Sequence, residues 1–142
     1  MISPSPTPCI SVDDFHRLLR EQHPFALLLG ISITDIGHGT ARAVLPARDS
    51  HQRLGGIVAG PMLMGLADLA MYAAVVGATG QPGAVTASLT INFLRKSPAG
   101  AVVAEARLLK VGRLSAGEVT LFPESGGEPV AHIVSTWSVP RP

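Results

Sequence analysis

The chain contains few of the residues that mark several common classes of protein. It has a single cysteine, Cys9, so it cannot close an internal disulfide, and no cysteines and histidines have the spacing of zinc ligands. Aromatic residues make up only 4% of the sequence, and 11 basic side chains are nearly balanced by 10 acidic ones. The sequence therefore lacks the stacking surfaces and the positive charge typical of nucleic-acid binding. We expect no metal, no nucleic-acid partner and a reducing, cytoplasmic location.

The length of 142 residues suffices for one packed domain and not for two. Three prolines among the first eight residues predict a flexible lead-in over residues 1–10. This stretch has no basic segment followed by an apolar core, so it does not resemble a secretory signal. We expect one domain over residues 11–142.

Charge is also missing from a long central stretch, and this isolates Asp68. Between Arg53 and Arg95 it is the only charged side chain, and it lies among small and apolar residues. An ionised carboxylate loses roughly several kcal/mol of hydration in such surroundings unless it is paired. A general base or nucleophile whose pKa is tuned by burial would account for it. The structural alternative is a buried carboxylate that backbone N–H groups or threonine hydroxyls satisfy.

The apolar run around Asp68 is about 20 residues long, which is also the length of a membrane-spanning helix. Its central aspartate argues against insertion, because such a residue costs about 3 kcal/mol at the middle of a membrane helix. Pro61 and the many small residues argue the same way. A helix that is apolar on all sides in a water-soluble protein is a buried one, so we expect no membrane association.

The pattern before the apolar run predicts one helix and two strands. Ser11 caps an amphipathic helix that ends before Pro24, and residues 25–29 form an apolar connector. Alternating apolar residues predict strands from Ile31 and from Ala41, and a polar loop over 47–56 leads to the buried helix.

The pattern after a turn at 77–83 predicts four further strands, which begin near Val85, Ala101, Glu118 and Val130. In the first of them, simple alternation places Val85 and Leu89 on one face and Thr86 on the other. The order of elements predicts an α+β domain in which an antiparallel sheet wraps a long central helix.

The segment Gly56 to Asp68, followed by Asn92-Phe93-Leu94-Arg95, resembles the hotdog-fold acyl-CoA thioesterases, in particular the phenylacetate-degradation (PaaI-type) group. The resemblance covers roughly residues 30–139. Gly56, Gly60, Leu66 and Asp68 match the family positions, and they are fairly specific when they occur together. The resemblance implies the hotdog fold.

The chain departs from that family ahead of the helix, where members usually have Asn-x-x-Gly-x-x-His-Gly-Gly. Arg53 stands at the Asn position, Ala59 at the His position and Pro61 at the second Gly position. His51 fits the histidine that members often have two residues before the Asn, although a loop histidine is the simpler interpretation.

The resemblance implies that the protein hydrolyses an acyl-CoA without a cofactor. It also implies a homodimer at minimum, and we expect a homotetramer made of two such dimers. Asp68 would activate a water or attack the carbonyl itself, the Gly60 N–H would hold the thioester oxygen, and Thr86 would hold the water. Gly60 and Asp68 lie about 12 Å apart along one helix, so they cannot act on the same carbonyl carbon. A two-fold dimer would bring Gly60 of one subunit to Asp68 of the other.

The expected substrate-binding residues surround these groups. Arg53 would contact either the thioester oxygen or a CoA phosphate. Positive side chains at strand ends are candidate phosphate ligands, although such residues are often only solvated; they are Arg95, Lys96 and Arg113. Ala59, Pro61 and Met64 complete the set, and an apolar acyl pocket is expected to be lined by Met62, Leu63 and Met64.

Two alternatives differ from this hypothesis in chemistry. A hotdog dehydratase or hydratase would need a histidine paired with the acid, and no histidine lies between Arg53 and Arg95. A non-hydrolytic acyl-CoA-binding hotdog protein would keep the fold and the pocket without turnover. The replacement of the family's Asn and His favours this second alternative. The preferred acyl group is not predicted.

Overall fold

A six-stranded antiparallel sheet wraps one long helix in the part of the chain that the computed structural model describes, residues 6–142. The first five residues of the predicted lead-in lie outside the described part. The elements are α1 (Val12–Gln22), α2 (Pro24–Leu29), β1 (Ser32–Ile36), β2 (Thr40–Leu45), β3 (Gln52–Arg53), β4 (Ile57–Val58), α3 (Gly60–Thr79), β5 (Val85–Phe93), β6 (Val102–Lys110), β7 (Leu114–Pro123) and β8 (Ala131–Ser138).

The order of strands across the sheet is β1-β2-β6-β7-β8-β5, and every neighbouring pair is antiparallel. Helix α3 packs on the inner face of this sheet, mainly against β2, β6 and β7. Small side chains on α3 allow that close approach: an added Cβ on Gly77 would lie 2.4 Å from the Gly37 carbonyl oxygen. The predicted α+β class and hotdog architecture are confirmed.

Within residues 6–142, the helix that is long and apolar enough to cross a membrane is α3, with a mean hydropathy of 1.6. Most of it is buried against the sheet, since 67% of that window lies inside the protein. It is the core helix of the domain. Its length and composition therefore reflect burial by the sheet.

Helix α1 begins as the sequence predicts. The Ser11 side chain accepts a hydrogen bond from the Asp14 N–H at 3.1 Å, and the helix buries Phe15 and Leu19. The segment after it differs from the prediction, because residues 24–29 form helix α2 and not an irregular connector. Pro24 starts this helix, where a missing N–H costs nothing, and Gly30 ends it in the left-handed region at φ 71°.

The loop before α3 is more ordered than predicted. A 3₁₀ turn covers Asp49–His51, and β3 and β4 form a short antiparallel hairpin. His51 is buried, its Nδ1 lies 3.0 Å from the Pro46 oxygen, and its carbonyl accepts the Ala59 N–H at 2.8 Å. These bonds fix the point at which α3 begins, so His51 has a structural role here.

The end of the predicted lead-in belongs to the packed domain. The Cys9 N–H donates to the Gly77 oxygen at 2.8 Å, and Ile10 packs against the core. Cys9 and Ile10 therefore contact the domain that is predicted to begin at residue 11.

A β-bulge in β5 changes the face of the sheet on which the Thr86 side chain lies. Thr86 pairs with Trp137 and Ser88 pairs with Thr136, so Ala87 is an extra residue in the ladder. Paired residues share a face, and Trp137 is buried on the inner face. Thr86 therefore faces α3 together with Leu89. Its predicted position on the opposite face from Leu89 is wrong, because simple alternation does not account for the inserted residue.

Candidate active site

Asp68 and Thr86 meet where α3 crosses the start of β5. The Thr86 hydroxyl donates a hydrogen bond to Asp68 Oδ1 at 2.7 Å, and Asp68 is half-buried. The bulge at Ala87 makes this contact available by turning Thr86 towards the helix. The two residues that the sequence predicts to act together are thus adjacent in the fold.

Burial and hydrogen bonding act on Asp68 in opposite directions. Burial raises the pKa of Asp68 above the ordinary 3.8, and the hydrogen bond from Thr86 lowers it. Desolvation is the larger effect, because it removes water from the charged form. The carboxylate is therefore more basic than an exposed aspartate, as a general base requires.

Asp68 lies in the wall of a cavity of about 440 Å³, which we call the Asp68 cavity. Its α3 face consists of residues at helical spacing: Gly65, Asp68, Leu69 and Tyr72. The other walls come from the α1–α2 junction, α2 and the adjoining ends of β5 and β8. Most of the lining is apolar, which suits an acyl group.

One wall of the Asp68 cavity is an aromatic cluster. Tyr72 stacks on Trp137 with ring centroids 5.7 Å apart, and His23 meets the Tyr72 ring at 5.0 Å. The Tyr72 hydroxyl donates to the Pro82 oxygen at 2.6 Å. Its only hydrogen is thereby used, so His23 Nε2 must be the donor in the 3.1 Å contact with Tyr72 Oη. Burial also raises the pKa of Tyr72.

The expected lining by Met62, Leu63 and Met64 is corrected by this geometry. Met62 packs against the core, Leu63 lines a different cavity, and Met64 is 42% exposed. Met62 and Leu63 lie on other faces of α3 than Asp68, whereas Met64, four residues before Asp68, shares its face but lies outside the cavity. Met64 lines neither cavity described here.

A second cavity, of about 430 Å³, lies at the start of α3; we call it the Gly60 cavity. Gly60 forms part of its wall beside Phe93, whose ring would be 3.3 Å from a Cβ added to Gly60. The positive side chains that the sequence predicts to contact CoA are in the same wall: Arg53, Arg95 and Lys96. The fold therefore gathers positive residues from two distant segments of the sequence around the helix start.

The start of α3 presents one free N–H group. Met62 and Leu63 both donate to the Ala59 oxygen, at 3.0 and 3.3 Å, and Pro61 has no N–H. Within residues 6–142 the Gly60 N–H has no acceptor. This N–H lies at the positive end of the helix dipole. An oxygen that develops negative charge would be stabilised there. Ala59 and Pro61 shape this helix start.

The positive residues differ in how firmly they are held. Arg95 pairs with Glu128 at 3.3 Å and donates to the Pro129 oxygen. Arg53 and Lys96 are exposed and form no ion pair within residues 6–142. Arg113 is elsewhere: it lies in the β6–β7 turn, where its carbonyl accepts the Val139 N–H at 2.8 Å. One subunit therefore does not bring Arg113 to the other three.

Ser97 is a residue of the Gly60 cavity that the sequence did not single out. Its carbonyl accepts the Val58 N–H at 3.0 Å, so it lies beside the segment that leads into Gly60. Its side-chain oxygen is buried and is the one such polar atom without a partner among the described residues. A buried hydroxyl without a partner costs about 1–3 kcal/mol, so Ser97 Oγ is an unusual feature of this wall.

The two cavities lie at opposite ends of β5. Thr86 at one end of the strand contacts Asp68, and Phe93 at the other end contacts Gly60. Within residues 6–142, β5 pairs with β8 alone, so its other edge is open. Val85 is 59% exposed and Phe93 54% exposed along that edge.

Across residues 6–142 no three His, Cys, Asp or Glu side chains come together as metal ligands. Three histidines lie within hydrogen-bond distance of separate partners: His23 of Tyr72, His51 of the Pro46 oxygen, and His132 of Glu118.

Sequence reasoning missed the wall residues His23, Tyr72 and Trp137. A signal existed for Tyr72, because it lies four residues after Asp68 and so on the same helix face. His23 and Trp137 come from distant segments, and only the fold brings them to the cavity.

Comparisons with known proteins agree with this geometry. The sequence model of one protein family, the thioesterase superfamily, matches residues 55–129 of this chain. A Saccharolobus solfataricus protein assigned as an esterase is 28% identical over 135 residues, which cover 94% of this chain and 89% of the relative. A solved structure from Silicibacter sp. TM1040, assigned as a thioesterase, is 34% identical with a TM-score of 0.85 and 94% coverage of both chains. The Escherichia coli PaaI protein from the phenylacetic acid degradation operon shares the fold, with 22% identity, a TM-score of 0.80, and 92% and 94% coverage.

Proposed function

The chain belongs to the thioesterase superfamily and is a thioester hydrolase, and we propose that it hydrolyses acyl-CoA to a free acid and CoA. The proposed enzyme is a two-fold dimer with two active sites, each built from both subunits. The observation that carries the proposal is the half-buried Asp68 carboxylate, held by Thr86 in the wall of an apolar cavity. No step of the reaction requires a cofactor.

Asp68 is the proposed base or nucleophile. As a base it takes a proton from a water while the water oxygen bonds to the thioester carbon; as a nucleophile it bonds to that carbon itself. In the first route the carbon–sulfur bond breaks and the protonated Asp68 returns its proton to the CoA thiolate. In the second route the CoA thiolate leaves and takes a proton from solvent, and a water then hydrolyses the acyl–Asp68 anhydride to the free acid and restores the carboxylate. The raised pKa of Asp68 supports the basic role, and the Thr86 hydroxyl keeps the carboxylate oriented.

The Gly60 N–H is the proposed donor to the thioester oxygen. Eight residues separate Gly60 from Asp68, which is about 12 Å along α3, so the donor must come from a second subunit. Antiparallel pairing of two β5 strands about a two-fold axis would place the Phe93 end of one strand beside the Thr86 end of the other. This pairing would bring each Gly60 cavity to the partner's Asp68 cavity and would cover the open edge of β5.

The positive side chains around the Gly60 cavity are the proposed contacts for the phosphates of CoA. Arg53 and Lys96 are exposed and unpaired within residues 6–142, so they are available to an anion. Arg95 would have to exchange its bond to Glu128 for a phosphate. Arg113 lies at the Thr86 end of the sheet, and the proposed dimer would bring it towards the partner's Gly60 cavity.

We propose a cytoplasmic location, because the substrate is a CoA ester and the single cysteine would stay reduced there. A tetramer of two such dimers is part of the proposal. Neither point affects the chemistry of a single site.

The activity is tested by release of CoA from a panel of acyl-CoA esters, measured with a thiol-trapping dye. Wild-type protein should release CoA, and Asp68→Asn should lower kcat/KM by about 10²–10⁴-fold. Binding of the esters without any release would indicate the non-hydrolytic binding protein. Unfolding of Asp68→Asn, seen by circular dichroism, would indicate a structural carboxylate.

The shared site is tested by mixing two inactive variants. Gly60→Pro removes the donor N–H at a helix position that tolerates proline, and Asp68→Asn removes the base. A mixed dimer would hold one site with both defects and one site with neither. Random exchange of subunits should therefore restore about a quarter of the wild-type activity. No recovery, with subunit exchange demonstrated by native mass spectrometry, would contradict a site built from two subunits.

A further inference from the structure

Gly65 occupies the position in α3 where a side chain would enter the Asp68 cavity. It lies three residues before Asp68, about 4.5 Å along the helix axis, and on the same face. Leu29 of α2 lies across from it. A Cβ added to Gly65 would be 2.9 Å from Leu29 Cδ1. The space beside the carboxylate is therefore bounded by this glycine and this leucine.

A glycine inside a helix needs a reason, because it is less favourable than alanine there by about 1 kcal/mol. Gly77 in the same helix has a structural reason: an added Cβ would strike the backbone oxygen of Gly37 at 2.4 Å. The contact at Gly65 is different in kind. It involves only the far end of a leucine side chain, which can rotate away. The fold alone does not require glycine at this position.

Helix α2 is fixed well enough to act as a wall. Arg48 Nη1 donates to the Leu28 carbonyl oxygen at 3.1 Å, close to the end of α2. Ala26 and Leu29 are buried beneath the helix. Leu29 therefore faces Gly65 from a segment that is tied to the rest of the domain at its last turn.

We propose that Gly65 and Leu29 determine the width of the acyl chamber beside Asp68, so that the enzyme accepts acyl groups that branch next to the carbonyl. This inference rests on the proposed function. The thioester carbon must lie against the Asp68 carboxylate to react, and the next acyl carbons then lie within one helical turn of it. At that point Leu29 rests against Gly65, and because Gly65 has no Cβ the Leu29 side chain is not pushed into the chamber. A branch at the first or second acyl carbon uses the width that this leaves, whereas a straight chain does not need it.

The test compares isobutyryl-CoA with butyryl-CoA, which have the same number of carbons. Gly65→Ala should lower the isobutyryl-to-butyryl ratio of kcat/KM by about tenfold or more, which is the usual effect of one methyl group in an apolar pocket. Leu29→Ala in the Gly65→Ala background should restore the ratio, because it returns the lost space. Leu28→Ala, at a 74% exposed position of α2 that is not part of the cavity wall, serves as the control and should leave the ratio unchanged.

A binding measurement separates failure of this inference from failure of the proposed function. The affinities of both esters are measured by calorimetry in the Asp68→Asn protein, with and without Gly65→Ala. The same fall of about tenfold in the affinity ratio is expected there. If the wild-type protein hydrolyses neither ester, the proposed function fails, while the affinity ratio still decides whether Gly65 sets the width.

Three results would overturn the inference. One is an unchanged ratio in folded Gly65→Ala, and another is an equal loss for both esters, which would indicate general damage. The third concerns stability: alanine is the better helix residue, so Gly65→Ala should keep or raise the melting temperature. If it unfolds the protein instead, and Leu29→Val leaves the ratio of the two esters unchanged, then Gly65 is a packing residue.

Discussion

The two edges of the sheet differ in almost every property that controls strand pairing. The β1 edge is five residues long, contains Asp35 and has an irregular register after Ile33. Its Ile33 N–H is already bonded to His16 Nε2 of α1 at 3.1 Å. The β5 edge is nine residues long and contains neither a charged residue nor a proline. Both strands contain a bulge, so length and charge distinguish them: short charged edges resist pairing, whereas long uncharged edges invite it.

This difference agrees with the proposed position of the active site. Both cavities open beside β5, and the Asp68–Thr86 pair lies at its start. The β1 edge lies on the far side of the sheet from β5 and contributes no residue to the bonds around Asp68. An edge that must pair with a second subunit to complete a site would carry the properties of β5. The following predictions test that contrast, from the largest expected effect to the smallest.

A charge on the β5 edge should disrupt the dimer and the activity together. Thr90→Lys introduces a positive charge near the middle of the strand, and a two-fold axis brings two such charges close to each other. Activity should fall by about 10²–10³-fold, the usual cost of losing an oxyanion donor. Light scattering after gel filtration measures the mass, and CoA release measures the activity.

The matched control for that change is Thr34→Lys on the β1 edge, where Thr34 is also an exposed strand residue. It should leave both mass and activity unchanged. A Thr90→Lys protein that remains dimeric and active would contradict pairing through β5.

Removal of the Thr86 hydroxyl should move the pH dependence of activity. Asp68 must be ionised to act, and the hydrogen bond from Thr86 lowers its pKa. Thr86→Val should therefore raise that pKa and shift the acidic limb of the kcat/KM profile to higher pH. Thr90→Val on the same strand is the control and should not shift it. A shift to lower pH would show that the hydroxyl does not stabilise the carboxylate.

Neutralising Asp68 should make the folded protein more stable at neutral pH. Burial raises the pKa of Asp68 in the folded state, so this carboxyl favours folding below its unfolded-state pKa, and that contribution is lost as the pH rises through the folded-state value. Asp68→Asn should therefore raise the melting temperature at pH 7, and the gain should shrink as the pH falls through the folded-state pKa and be gone below about 4. Asp35→Asn on the exposed β1 edge should have little effect on the melting temperature. Calorimetry at several pH values measures both.

The smallest expected effect concerns CoA binding. Lys96→Ala should raise KM for acyl-CoA by up to about fivefold, because an exposed ion pair contributes about 1 kcal/mol or less. The effect should diminish with added salt. Lys110→Ala, at an exposed position at the end of β6, should leave KM unchanged. Equal effects of the two substitutions would indicate a general influence of positive charge.

The fold was largely predictable from the sequence because its periodic patterns are long. The central helix, the capped first helix and the four later strands all carry regular apolar spacing, and all of them form. One bound is wrong, because β7 begins at Leu114 and not near Glu118. Helix α2 was not predicted, because six residues between a proline and a glycine are too short for a helical period to show. The predicted face for the Thr86 side chain was wrong, because the pattern of apolar residues does not reveal that Ala87 is an extra residue in the strand.

The candidate site was predictable only where one residue is unusual by itself. Asp68 is conspicuous because it is the single charge in an apolar run, and Gly60 because it precedes a proline at a helix start. The acyl wall formed by α2 could not be derived in this way. Leu29 reaches Gly65 through tertiary packing, and 36 positions of the chain separate the two residues.

The aromatic wall of the Asp68 cavity provides an optical signal. The chain has one tryptophan and one tyrosine, and Trp137 and Tyr72 stack on each other in this wall. The emission of Trp137 therefore comes from a single known place, next to the site where the acyl group is proposed to bind. Entry of a ligand would change the surroundings of that ring, so the unlabelled protein can report its own occupancy by fluorescence.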